Sequence, residues 1–133
     1  MRMGELPERA AVREMHEETG LRVSGLRFNG ILSFYLGELK ELDQSVFLFS
    51  TRKSTGRLRE SNEGELRWFS VNAIPYHEMW QDDQVWLPLV LDGRSFVGDF
   101  YFTKEYMDFL SHEIRQTTFA AIENSHKGRP RVR

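Results

Sequence analysis

The sequence predicts an α/β fold: a mixed sheet with flanking helices. Three observations predict it. Pro7 to Thr19 reads as one helix, with proline suited to its first turn and Gly20 suited to the residue just past its end. Short runs rich in branched and aromatic residues follow without regular alternation with helices, which fits a mixed sheet with helices packed on it. Near the other end, Tyr106, Phe109, Leu110, Ile114 and Phe119 or Ala121 recur at close to helical spacing, predicting an extra amphipathic helix from Lys104 to about Asn124.

Taken in order, Leu21 to Gly25 is a short link, and Leu26 to Leu36 is a strand interrupted at Gly30. The polar GELKELD segment is its turn. Ser45 to Thr51 contains the run VFLF, short enough for a strand covered on both faces. Lys53 to Gly64 has the composition of a loop, and Glu65 to Ser70 reads as a further short strand. Val71 to Met79 allows a brief helix started or interrupted at Pro75. Gln81 to Gln84 is a polar loop before the apolar run Trp86 to Leu91, and Asp92-Gly93 signals a hairpin into Ser95 to Thr103. The tail, 126–133, is basic and is expected to fray, leaving 1–125 as a single domain.

Composition narrows the function. A chain of 133 residues can bury a core without staples, and with no cysteine neither disulfides nor thiolate metal sites are available. A formal net charge of −2 argues against a nucleic-acid polymer as partner, because that affinity rests on a basic surface. No apolar run approaches the length that spans a bilayer and the opening has no signal-peptide core, so a cytoplasmic protein without membrane partners is expected.

The helix at 7–19 carries the strongest chemical signal. Glu14, Glu17 and Glu18 share a face, where like charges cost about 0.2–0.5 kcal/mol per pair, and the last turn adds the unfavourable end of the macrodipole. Arg13 reaches Glu17, but one guanidinium cannot neutralise three carboxylates. A cluster of hard oxygens suits Mg²⁺ or Mn²⁺. A solvated acidic face is an equally good account on charge alone.

A second group runs from Met79 to Leu89. Asp82 and Asp83 adjoin Trp80, an arrangement that suits a purine: the indole stacks on the ring while the carboxyls meet its hydrogen-bonding edge. Crowding two carboxyls raises the pKa of one, which can then donate to a purine oxygen. Standing alone, this pattern is more often an acidic turn between two core tryptophans. His16 lies beside the acidic set but on a different helical face and reads as a surface residue, while His77, His112 and His126 have no partner at metal-ligand spacing and read as structural or solvent residues.

Glu5, seven further residues, then Arg13-Glu14-Met15-x-Glu17-Glu18-x-Gly20-Leu21 resembles the signature of the Nudix hydrolases, G-x5-E-x7-R-E-U-x-E-E-x-G-U, with U a bulky apolar residue. Every fixed position from Glu5 onward is filled. The opening glycine would precede Met1, so the chain begins inside this box. The resemblance implies a Nudix-type α/β/α sandwich, N-terminally truncated relative to the family because the strands that ordinarily precede the box are missing. It also implies that Glu14, Glu17 and Glu18 bind metal and activate water, that Arg13 orients them, and that Glu5 supports the set. A further loop carboxylate is expected at Glu63, with Glu60 and Glu65 as alternatives.

From Trp68 to Phe102 the chain is similar to Nudix enzymes that hydrolyse oxidised purine nucleoside triphosphates such as 8-oxo-dGTP. That likeness implies a nucleotide substrate, with Trp80, Asp82 and Asp83 reading the base and Phe34 lining the same pocket. It implies Mg²⁺-dependent release of monophosphate and pyrophosphate. Two alternatives remain open: hydrolysis of ADP-ribose or dinucleoside polyphosphates, and a catalytically silent nucleotide-binding module. A homodimer through the exposed sheet or the C-terminal helix is a further expectation.

Overall fold

In the computed structural model, residues 2–59 and 66–117 are described. In chain order the elements are α1 (Pro7–Thr19), β1 (Arg22–Ser24), β2 (Arg27–Leu36), β3 (Glu41–Ser50), β4 (Lys53–Thr55), α2 (Asp83–Leu91), β5 (Phe96–Phe102) and β6 (Phe109–Gln116), with 3-10 turns at Tyr76–Glu78 and Lys104–Tyr106. The chain forms two compact units: Met1–Arg27 with Phe49–Ile74, and Phe28–Leu48 with Pro75–Arg133. Among the described residues no helix is long and apolar enough to cross a membrane.

The first unit holds α1 and a two-stranded sheet in which β1 pairs antiparallel with β4, Arg22 opposite Thr55. Pro7 occupies the first turn of α1 as its missing N–H allows. Gly20 closes the helix with φ 84°, its N–H bonding the His16 carbonyl at 2.9 Å. No other residue fits there easily, since a Cβ on Gly20 would lie 2.9 Å from the Arg57 carbonyl oxygen.

The second unit is built on a four-stranded mixed sheet in the order β3-β2-β5-β6. β2 runs parallel to β5, from Gly30 opposite Phe96 to Leu36 opposite Phe102, and β6 runs antiparallel to β5. β5 alternates as a half-covered strand does: Phe96, Gly98, Phe100 and Phe102 are buried, and Val97, Asp99 and Tyr101 only partly so. With Leu32 and Phe34 these phenylalanines make the core, against which α2 packs Val85, Trp86, Leu89 and Val90. Each buried phenylalanine contributes about 1.5–3 kcal/mol. β2 is one of the two interior strands, buried continuously from Asn29 to Phe34.

Several expectations are corrected here. The extra C-terminal helix is absent from the described part of its range: 104–106 is a single 3-10 turn and 109–116 is β6. Apolar residues at helical spacing lost to sheet pairing, because β6 completes the ladder of β5 and sets Ile114 opposite Gly98. The remainder of that range, Glu63 with Glu60 and Glu65, and the basic tail lie outside the described residues. Asp92-Gly93 does not turn a hairpin; it ends α2, where Gly93 has φ 74° and donates to Val90. The apolar run from Trp86 to Leu91 is therefore helix, even with Pro88 inside it. Gly30 does not interrupt β2; a Cβ there would lie 1.9 Å from the Phe96 carbonyl oxygen, so glycine lets the parallel strands approach. The segment 66–70 forms no strand, whereas the link after α1 and the start of the following loop contribute β1 and β4.

Candidate functional site

In the first unit the acidic set stands on the last two turns of α1. Arg13 holds Glu5 in a fork, Nε to Oε2 at 3.0 Å and Nη2 to Oε1 at 2.9 Å. The same guanidinium donates to Glu17 at 3.0 Å and to Glu14 at 3.5 Å. Its main partner is thus Glu5, with the helix acids sharing what remains. The fork pulls the Glu5 carboxyl down to about 2, helped by the backbone N–H of Arg2, and raises Arg13 further above its already high value. Arg2 approaches Glu17 at 3.5 Å, and Glu18 is exposed.

A second cation answers the charge at the end of the helix. Arg59 donates to the Glu17 carbonyl at 2.6 Å and the His16 carbonyl at 3.3 Å, and its own N–H bonds the Thr19 carbonyl at 2.6 Å. A guanidinium on the last carbonyls offsets the macrodipole where Glu17 and Glu18 are disfavoured. Among the described residues no three histidines or acids gather into a ready metal cage. Mg²⁺ does not need one. It keeps several waters and takes one or two carboxylates plus substrate phosphates. The hard oxygens of Glu14, Glu17 and Glu18, on neighbouring turns of one helix, fit such an ion by donor chemistry.

In the second unit a cavity of about 390 Å³ is lined by Leu32, Phe34, Gln44, Val46, Leu48, Trp80, Asp82, Asp83, Trp86 and Tyr106. Its volume and its mostly apolar wall with a few polar groups are those of a small-molecule site. Phe34, Trp80, Asp82 and Asp83 therefore come together in one place. Trp80 is 63% exposed, and Asp82 is 4% exposed. Asp82 precedes the first residue of α2 without capping it; its Oδ2 instead accepts from the Trp86 indole N–H at 2.9 Å, which fixes that ring in the wall. Asp83 is pushed up to about 6, first by burial and then by the charge of Asp82 beside it. Of the two adjacent carboxyls, that of Asp82 accepts a tryptophan N–H, and that of Asp83 has its pKa raised from 3.8 to about 6.

Sequence reasoning missed much of the remaining lining. Val46 and Leu48 alternate along β3, a period hidden by the unbroken VFLF run. Tyr106, assigned to a helix, stands on a 3-10 turn with its ring 6.1 Å from that of Trp80. Its hydroxyl donates to Asp43 at 2.5 Å and accepts from Gln44 at 3.3 Å. Burial and Asp43 push that hydroxyl up to about 12. Arg59 carried no local signal, because its duty depends on the chain returning to the end of α1.

The NUDIX domain family matches residues 1–90. The chain is 39% identical over 112 residues to an oxidized purine nucleoside triphosphate hydrolase of Danio rerio, covering 84% of this chain and 66% of that protein. It is 37% identical over 114 residues to the Mus musculus protein so described, covering 85% and 71%. An uncharacterized Nudix hydrolase of Bacillus subtilis is 30% identical over 118 residues, covering 86% and 74%. The crystal structure of a mutator MutT protein from Bacillus halodurans superposes with a TM-score of 0.76 at 26% identity, covering 86% of this chain and 76% of that one. The chain thus spans about two thirds of the zebrafish protein it matches. With its box from Glu5 to Leu21 inside the matched region, and a mixed sheet with two helices matching the fold of MutT, the chain belongs to the Nudix hydrolase family.

Proposed function

We propose that this chain hydrolyses oxidised purine nucleoside triphosphates, such as 8-oxo-dGTP, to the monophosphate and pyrophosphate. The observation that carries the reading is the cavity in which Trp80 stands beside an unequal acid pair, Asp82 and Asp83. An oxidised purine offers a flat ring, an N–H edge and additional oxygen. Trp80 supplies a stacking face, Asp82 a carboxyl oxygen, and Asp83 an acid with its pKa raised to about 6 that can donate to a ring oxygen. The relatives described as oxidized purine nucleoside triphosphate hydrolases support this choice.

Glu14, Glu17 and Glu18 would hold Mg²⁺ or Mn²⁺, which when bound neutralises phosphate charge and lowers the pKa of water. Arg13 keeps Glu14 and Glu17 oriented while its fork on Glu5 anchors it to the loop before α1. In the reaction a water oxygen bonds to phosphorus, the phosphorus–oxygen bond of the bridge between the α- and β-phosphates breaks, and the water's proton passes to a carboxylate. The group across the bridge from the attacked phosphorus leaves with the electron pair of the broken bond, giving monophosphate and pyrophosphate.

The test is a substrate panel with Mg²⁺: 8-oxo-dGTP, dGTP, ADP-ribose and a dinucleoside polyphosphate. Pyrophosphate release from 8-oxo-dGTP should dominate. Preferential cleavage of ADP-ribose or the dinucleotide would move the assignment elsewhere in the family, and nucleotide binding without any phosphate release would make the chain a binding module.

A further inference from the structure

Tyr106 reaches the cavity from a backbone that residues with side chains avoid. Glu105 and Tyr106 have φ of 61° and 60°, two successive left-handed residues without a glycine. Such a pair persists only where the surroundings over-determine it, and here they do. The Tyr106 N–H bonds the Thr103 carbonyl at 3.1 Å, the Thr103 N–H bonds the Asp108 carbonyl at 2.9 Å, and the Asp108 N–H bonds the Thr103 hydroxyl at 2.7 Å. At its other end the hydroxyl is tied to Asp43 and Gln44. The ring between these ties stands edge-on to Trp80 at 67°, and tilted against Phe102 at 5.1 Å. Burial and Asp43 hold the hydroxyl up at about 12, so it remains a donor at neutral pH.

Strained backbone at one end of the side chain and a tied hydroxyl at the other set the position of the ring rather than merely fill space. We propose that Tyr106 is a specificity-determining residue of this cavity: its ring, fixed edge-on to Trp80, limits the space beside that indole to a bicyclic base and excludes a larger fused one. The proposal rests on the reading above that the cavity takes the base of a nucleotide. Beside the indole the free space is set by where the Tyr106 ring stands, its centroid 6.1 Å from that of Trp80, so moving this one wall changes what can lie against the indole.

The experiment compares kcat/KM for 8-oxo-dGTP with that for a tricyclic etheno-fused purine triphosphate, with Mg²⁺, for the wild type, Tyr106→Phe and Tyr106→Ala, each checked by thermal unfolding. The wild type should prefer the bicyclic ring. Tyr106→Ala should lower that preference by about tenfold or more, the scale of a lost pocket contact, chiefly by improving KM for the tricyclic ring. Tyr106→Phe keeps the ring and should retain most of the preference. Should Tyr106→Ala fail to fold, Tyr106→Leu keeps bulk against Phe102 without a planar edge and carries the same expectation. A folded Ala or Leu variant with wild-type preference overturns the proposal, as does a Phe variant that loses as much as the Ala variant. A wild type that turns over neither triphosphate overturns the substrate reading itself, which the first control shows before any variant is compared.

Discussion

Glu17 stands in the helix turn whose dipole opposes its charge, and is steadied there by its ion pair with Arg13 at 3.0 Å. Under the proposed function its carboxylate would be a ligand of the divalent cation. Glu17→Gln and Glu18→Gln keep shape while removing a hard anionic donor. Each is expected to lower kcat by about a hundredfold or more, the usual scale for losing a charge-stabilising group, with the melting temperature unchanged or raised. Near-wild-type rates in both would remove α1 from the chemistry. Asp83 gives a prediction with a sign. Its pKa is raised from 3.8 to about 6, so the folded state binds the proton more tightly than the unfolded chain. The corresponding stability is fully present below 3.8 and is lost as pH rises through about 6. The melting temperature of Asp83→Asn relative to wild type should therefore climb over that interval. Binding of 8-oxo-deoxyguanosine, followed by tryptophan fluorescence, should weaken over the same interval in the wild type and stay flat in Asp83→Asn. A flat wild-type profile would show that no Asp83 proton is shared with the base.

At the scale of elements, legibility followed the range of the forces involved. α1 was readable to its ends because its signals are local: Pro7 at the start, Gly20 at the stop, and acids and Arg13 three and four residues apart. The acid pair beside Trp80 was readable for the same reason, since adjacency in sequence guarantees adjacency in space. The end of the described chain was not. Tyr106, Phe109 and Ile114 have a spacing that a helix and a twisted edge strand can both satisfy, and pairing with β5 decides between them. Tyr106 was consequently misplaced, and with it one wall of the cavity. Gly30 shows the same limit in another form, because its sequence neighbours suggest a break, whereas its need for glycine lies across the sheet at Phe96. Gly30→Ala should destabilise the protein by about 3 kcal/mol or more, at the top of the overpacking range, since backbone rather than a flexible tip stands in the way. Chemical denaturation reads this directly. A loss under about 1 kcal/mol would mean that β2 and β5 can separate without harm to the core.

At the scale of the molecule, the first unit carries the charged chemistry of α1 and the second carries an apolar cavity with its acid pair. Under the proposed function the two sets of groups would answer to different parts of a nucleotide. Phosphates need neutralising charge, which carboxylates can supply only through a cation, whereas a base needs a flat apolar face and a few hydrogen bonds, which require no metal. Removing the metal should therefore separate the two functions. With a chelator in place, hydrolysis of 8-oxo-dGTP should stop and return when Mg²⁺ is added. The nucleoside 8-oxo-deoxyguanosine, which has no phosphates, should bind with the same affinity in both conditions, and Trp80→Ala should weaken it by about 1–3 kcal/mol, the range for a base stacked on an aromatic side chain. Calorimetry with the nucleoside, with and without Mg²⁺, measures this. Nucleoside binding that appears only with Mg²⁺ would show that recognition of the base depends on the metal as much as cleavage does.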